Sequence, residues 1–141
     1  MILLWNHTGG IPDFVRTLYQ NILDRDPESQ AAINYWMDYT HSHGIALTIG
    51  GFFTSNEFKA RGLPIEVVVD KLYRAILGCE AEAEGKNYWL DRFRRGDGMQ
   101  VIVNDFVGSR EYRQKVQDNL VPHPVYWPSY TQNDYDWNFS L

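Results

Sequence analysis

The chain has a single cysteine, Cys79, in 141 residues, so no disulfide can close within it and no redox compartment follows. Long hydrophobic runs are missing too. The opening MILLW is short and has no basic flank, which is too little for a secretory signal or for a membrane span. Cations are outnumbered: 13 Lys and Arg face 18 Asp and Glu, for a net charge of -5 and a pI near 5.2. That balance argues against nucleic acid as a partner, because such affinity comes mostly from cations that neutralise phosphates, and against an anionic membrane surface likewise. Arg92, Arg94, Arg95, Arg110, Arg113 and Lys115 do gather in the second half. Asp91, Asp97, Asp105 and Glu111 are interspersed among them, which reads as a solvated face of mixed sign.

Catalytic patterns are equally sparse. GIALTIGG lacks the Lys-Ser/Thr pair of a phosphate-cradling loop. No nucleophile motif surrounds Cys79, which reads as a small hydrophobe at a helix end. His41 and His43 sit near Asp38, but alternate spacing turns the two rings apart on a helix, so they read as loop histidines and not as a metal pair. The tripeptide Arg95-Gly96-Asp97 falls where a helix should end, and the sequons at Asn6 and Asn138 matter only in a eukaryotic secretory route. These readings predict no enzyme activity, no catalytic residue, no metal and no cofactor.

What the chain does contain is itself, twice. Val15, Leu18, Tyr19, Ile22 and Leu23 recur 54 positions later as Val69, Leu72, Tyr73, Ile76 and Leu77. Asn34, Tyr35, Trp36 and Asp38 recur 53 positions later as Asn87, Tyr88, Trp89 and Asp91. Gly44, Phe52, Ser55 and Glu57 return at 54 as Gly98, Phe106, Ser109 and Glu111. The offset changes in a turn, where length varies most freely.

The spacing inside each unit is helical. A first helix ends at Asp24 or Gly78, in the left-handed conformation that glycine adopts freely and aspartate at some cost. In the first unit Asp26 is placed to cap a second helix starting near Pro27. That helix carries Ile33, Trp36, Met37 and Thr40, or Gly85, Trp89, Leu90 and Phe93, and stops before Gly44 or near Gly96. A third helix follows, weakened in the first unit by Gly50 and Gly51. Ser55 or Ser109 then caps a short fourth that turns Phe58 or Tyr112 inward. The fold class is therefore all-α: two tandem three-to-four-helix repeats, 14–62 and 68–116, packed into one helical domain over 14–120. Residues 1–13 form an N-terminal arm. Neither unit buries its aromatics alone, so the two are expected to meet around Tyr35, Trp36, Tyr88 and Trp89.

The pattern LYxxIL(D/G), an acidic turn, NYW and then F(F/V)xSxE(F/Y) resembles the bacterial domain-of-unknown-function family numbered 4214 over about residues 14–116. A more distant similarity is to the linker domain of phycobilisomes. The resemblance implies helical modules of surface-layer, calcium-repeat and other exported proteins, some of them appended to glycosyltransferases, with scaffolding or attachment as the role. It carries over no catalytic residue. Arg25 and Pro27 are family-like, whereas the second copy has Cys79 and Ala81 there, so any recognition by that arginine rests on Arg25; the plainer reading is a charge that stabilises the turn. The aspartate-and-glycine calcium repeats are absent.

Residues 121–141 are different in kind. Pro122, Pro124 and Pro128 exclude a regular helix, no Lys or Arg is present, and Tyr126, Trp127, Tyr130, Tyr135, Trp137 and Phe139 follow. So many rings predict an extended arm that docks, since disordered tails are usually poor in aromatics. Its place is the chain's own surface, a neighbouring subunit or a glycan. These six residues are the expected partner-binding set. The expected function is a noncatalytic structural or adaptor module for protein-protein assembly, joining other subunits or further copies in a bacterial surface or virion structure. A carbohydrate-binding module and an enzyme's accessory domain are the alternatives.

Overall fold

The computed structural model describes residues 10–123, which form helices and turns without a strand. The first repeat comprises α1 (Gly10–Ile22), α2 (Gln30–His43), α3 (Ile45–Phe53) and a short α4 (Asn56–Ala60). The second comprises α5 (Ile65–Leu72), prolonged by a π turn over Tyr73–Leu77, then α6 (Ala83–Arg94), α7 (Met99–Val107) and α8 (Arg110–Gln117). The stripe read from the sequence is the core: Val15, Leu18, Tyr19 and Ile22 are buried, as are Val69, Leu72, Tyr73 and Ile76.

The expected punctuation holds at most helix ends. Asp24 and Gly78 occupy the left-handed region at φ 56° and 66°. Ser55 Oγ accepts from the Phe58 amide and Ser109 Oγ from the Tyr112 amide, both at 3.2 Å, and the two rings they turn inward are buried. One start differs. Ser29, not Asp26, caps α2 by accepting from the Ala32 amide at 3.1 Å. Asp26 is occupied elsewhere: its carboxylate accepts from Gln20 and its carbonyl from Arg25, which keeps residues 24–28 in the turn. The body also begins earlier than the sequence suggests, because α1 takes in residues 10–13 and buries Ile11.

The repeats meet along α3 and α7, with α1 against α5 and the π turn. Position 46 of the first repeat faces its own equivalent in the second. Gln100 Nε2 donates across the seam to the Ala46 carbonyl at 3.0 Å and to Asn104 Oδ1 at 3.0 Å. A Cβ on Gly50 would overlap the Gln100 amide, so the glycine that weakens α3 as a helix leaves room for that side chain to lie across the seam. A second tie crosses at the end of α1. Lys71, only 6 % exposed, extends its ammonium to Asp24 at 2.8 Å and towards the Asn21 carbonyl at 3.4 Å. Arg61 donates to Asp24 at 2.7 Å and to the Ile22 carbonyl at 3.2 Å. Both cations sit where the helix macrodipole favours them.

The tryptophans are not the shared interior. Trp36 packs on Phe52 with ring centroids 4.5 Å apart, Trp89 on Phe106 at 4.1 Å, and each thus stays within its own repeat. Tyr35 and Tyr88 face outward. The third helices pack on each other across the seam, which leaves the second helices on the flanks.

Candidate binding groove

Each repeat assembles the same aromatic triad from the three parts of its motif. Tyr19 meets Phe52 edge-on at 4.9 Å, and Tyr73 meets Phe106 at 5.2 Å. With Trp36 tilted on, or Trp89 stacked on, that same phenylalanine, first, second and third helix are pinned at one point. Burial pushes the Tyr19 and Tyr73 phenols above their ordinary range, although a hydrogen bond with Trp36 or Trp89 opposes it. The preceding tyrosine of each NYW plays no part in the core: Tyr35 is 60 % and Tyr88 56 % exposed, each edge-on to its tryptophan.

Beyond the triad the repeats diverge. On the first flank Tyr39 stacks on His43 at 4.1 Å, and Trp36 lies so close to Gly51 that an added Cβ would meet its ring at 3.0 Å. On the second flank the positions of Tyr39 and Gly51 hold Arg92 and Asp105. The Arg92 guanidinium lies 5.4 Å from the Trp89 ring and 6.0 Å from Tyr88. It donates to Asp97 at 2.6 Å and to Asp105 at 2.5 Å. Arg92 is therefore buried and fixed, a correction to the solvated face expected from the sequence. Hydrogen bonds from Arg92 and then Arg95 hold the Asp97 carboxyl below the ordinary carboxylate range. Between α6, α7 and the start of α8 a groove of about 390 Å³ opens, walled by Tyr88 and Trp89, with Arg92 and Asp105 inside and Asn104 and Arg110 beside them. Arg110 makes no hydrogen bond or ion pair among the described residues.

The six aromatic residues expected to bind a partner, Tyr126, Trp127, Tyr130, Tyr135, Trp137 and Phe139, lie outside the described residues. The root of that arm is described. Val121 and His123 are buried, and the Tyr112 hydroxyl donates to the Pro122 carbonyl at 2.5 Å, so the chain folds back onto the body after α8.

Arg25 follows its plainer reading. It grips Glu57 with Nε at 2.8 Å and Nη2 at 2.7 Å, donates to Glu28 at 2.8 Å, and lies over the Tyr19 ring at 5.0 Å. Cys79, its counterpart, has Glu111 at 3.9 Å, and burial followed by that charge pushes the thiol up. A thiol so placed is a poor nucleophile. His41 and His43 close the last turn of α2 and are not loop residues; His43 Nδ1 lies 3.2 Å from the Tyr39 carbonyl. Among the described residues no group of three or more His, Cys, Asp or Glu could hold a metal ion, and no helix is long and apolar enough to cross a membrane.

No sequence signal alone marked the groove. Arg92 and Asp105 stand 13 residues apart on different helices, and only the α6–α7 packing joins them. No curated protein and no solved structure matches the chain. The family described as Domain of unknown function (DUF4214) matches residues 10–62 and again 50–116, so both repeats fall within its pattern. The chain, a tandem of two such units, belongs to the DUF4214 family.

Proposed function

We propose that the protein is a noncatalytic adaptor that joins protein subunits, further copies of itself first among them, into a larger bacterial surface or virion assembly. The observation that carries this reading is the distribution of exposed apolar side chains. Of the five large ones among the described residues, Tyr35 pairs with Tyr88 and Leu47 with Val101 at equivalent positions of the two repeats; only Val67 stands alone. Core packing uses none of these four, yet each pair is present on both halves. Isolated exposed apolar residues are ordinary, whereas a surface built twice suits two equivalent contacts, with tyrosine an anchor of high contact area and low entropy cost. The tail aromatics extend the same interest in contact beyond a root anchored at Pro122.

Light scattering across a concentration series tests the reading. The intact chain is expected above monomer mass, and Leu47→Glu with Val101→Glu, or removal of residues 124–141, is expected to return it to monomer. An intact chain that stays monomeric at the highest concentration, or oligomers indifferent to both changes, sinks it.

A further inference from the structure

We infer that the groove of the second repeat is a saccharide-binding site, with Tyr88 as the stacking surface and Asp105, Asn104 and Arg110 as the groups that engage hydroxyls. The inference goes beyond the assembly reading, and its failure would leave that reading standing.

The argument starts from what a pyranose presents: a flat patch of C–H groups on one face and a rim of hydroxyls that both donate and accept. A complementary site needs an exposed ring beside carboxylate, amide and guanidinium groups held in place. Tyr88 supplies the ring, at 56 % exposure and with its edge against Trp89. Trp89 is itself stacked on Phe106 at 4.1 Å, which makes it a wall; Arg92 lies 6.0 Å from the Tyr88 ring too, but Tyr88 has no such stacking partner and its exposed surface is left for stacking. Asp105 accepts from Arg92 through one oxygen, Oδ2, and its other oxygen has no partner among the described residues. Asn104 accepts from Gln100 through Oδ1, which turns the amide so that its N–H groups remain available as donors. Arg110 lines the same groove, where it has no partner among the described residues.

Three features favour a sugar over other ligands. The volume of about 390 Å³ lies within the range of small-molecule sites. The groove is close to electrically balanced, because Arg92 and Arg110 are set against Asp105 inside it and Asp97 behind Arg92, and the Asp105 carboxylate repels phosphate chains. Arg92, Asp105 and Asn104 are also held before any ligand arrives. Arg92 has a side chain only 9 % exposed and is fixed by two carboxylates, so little ordering remains to be done on binding.

The first repeat is an internal comparison. The positions of Asn104, Asp105, Arg92 and Arg110 hold Gly50, Gly51, Tyr39 and Asn56 there, while the tyrosine is kept as Tyr35. The fold therefore forms without the polar set, whose presence in one repeat alone packing does not require.

The experiment is a titration of the full chain with a panel of neutral and uronate-containing trisaccharides, followed by calorimetry and by the tryptophan indole N–H signals in NMR. At least one trisaccharide is expected to bind and to move the Trp89 signal, assigned with Trp89→Phe. Tyr88→Ala should weaken that binding by about tenfold or more. Asn104→Ala and Arg110→Ala should each weaken it several-fold, while Tyr35→Ala leaves it within about twofold. Circular dichroism of each variant verifies that the helices persist. A panel without any binder at ~10 mM overturns the inference. So does binding that Tyr35→Ala weakens as much as Tyr88→Ala, or binding that leaves the Trp89 signal in place. The Leu47→Glu, Val101→Glu chain keeps its sugar binding if the groove acts alone, which separates this outcome from the assembly test.

Discussion

Asp24→Gly sets two effects of opposite sign against each other. Asp24 holds φ 56° where its counterpart Gly78 holds 66°, and glycine there relieves on the order of 1 kcal/mol of backbone strain. The same change removes the carboxylate that Lys71 reaches at 2.8 Å, leaving that buried ammonium only the Asn21 carbonyl at 3.4 Å. Orphaning one member of a buried pair costs about 3–5 kcal/mol, but Asp24 is the exposed partner, with 52 % of its side chain in water. Solvent screening brings the loss nearer about 2 kcal/mol. The net expectation is destabilisation by about 1 kcal/mol. Lys71→Met keeps the apolar stem and removes the charge, so in that background strain relief dominates and Asp24→Gly turns neutral or stabilising. Urea denaturation of the four chains in a double-mutant cycle should return a coupling of about 2 kcal/mol. If Asp24→Gly stabilised the parent chain, or if the coupling lay within about 0.5 kcal/mol of zero, the ion-pair account of this seam would be refuted.

Other expectations are simpler. Ser55→Ala and Ser109→Ala should each cost about 1 kcal/mol in thermal or chemical unfolding, through loss of the cap to Phe58 or Tyr112. Gly51→Ala gains up to about 1 kcal/mol of helix propensity but presses a methyl onto the Trp36 ring, so a drop in Tm with an altered near-ultraviolet tryptophan signal is expected. Stability should fall in acid. Burial raises the Asp24 carboxyl, yet hydrogen bonds from Lys71 and Arg61 outweigh it, and Arg25 holds Glu28 and Glu57 low. Groups depressed in the native state contribute fully above the ordinary carboxylate range, near pH 4, and lose that contribution as pH falls through their folded values. A Tm unchanged from pH 7 down to about 2.5 would contradict this. In alkali the sign reverses. Burial pushes the Tyr112 phenol up, so the unfolded chain ionises first and stability should decline above about pH 10.

How much was legible in advance depends on whether a feature is local. The stripe Val15, Leu18, Tyr19, Ile22 is set by a period of 3.6 residues, and its recurrence as Val69, Leu72, Tyr73, Ile76 marks two equivalent helices in the sequence itself. Ser55 and Ser109 cap by reaching three residues along the chain, and Asp24 and Gly78 turn left-handed where each first helix stops, so both were readable. Asp26 misled because its oxygens are taken by Gln20 and Arg25, a competition that composition does not reveal. The seam was equally hidden. Gly50 reads as a weak helix position, and only the Gln100 side chain seated over it shows why it is there.

The chain's amino-acid order alone determined that this protein is all-α, that it is one unit written twice, and where most helices end, because those properties follow from spacing and from contacts within a turn or two. Tertiary structure decided which faces meet. It sent the tryptophans to the flanks, buried Lys71 and Arg92 among carboxylates, and opened the groove at Tyr88 in one repeat where the other packs Trp36 on glycine. The physical reason is that two helices choose their mutual face by the shapes and charges of both at once, and no stretch of either sequence contains that choice.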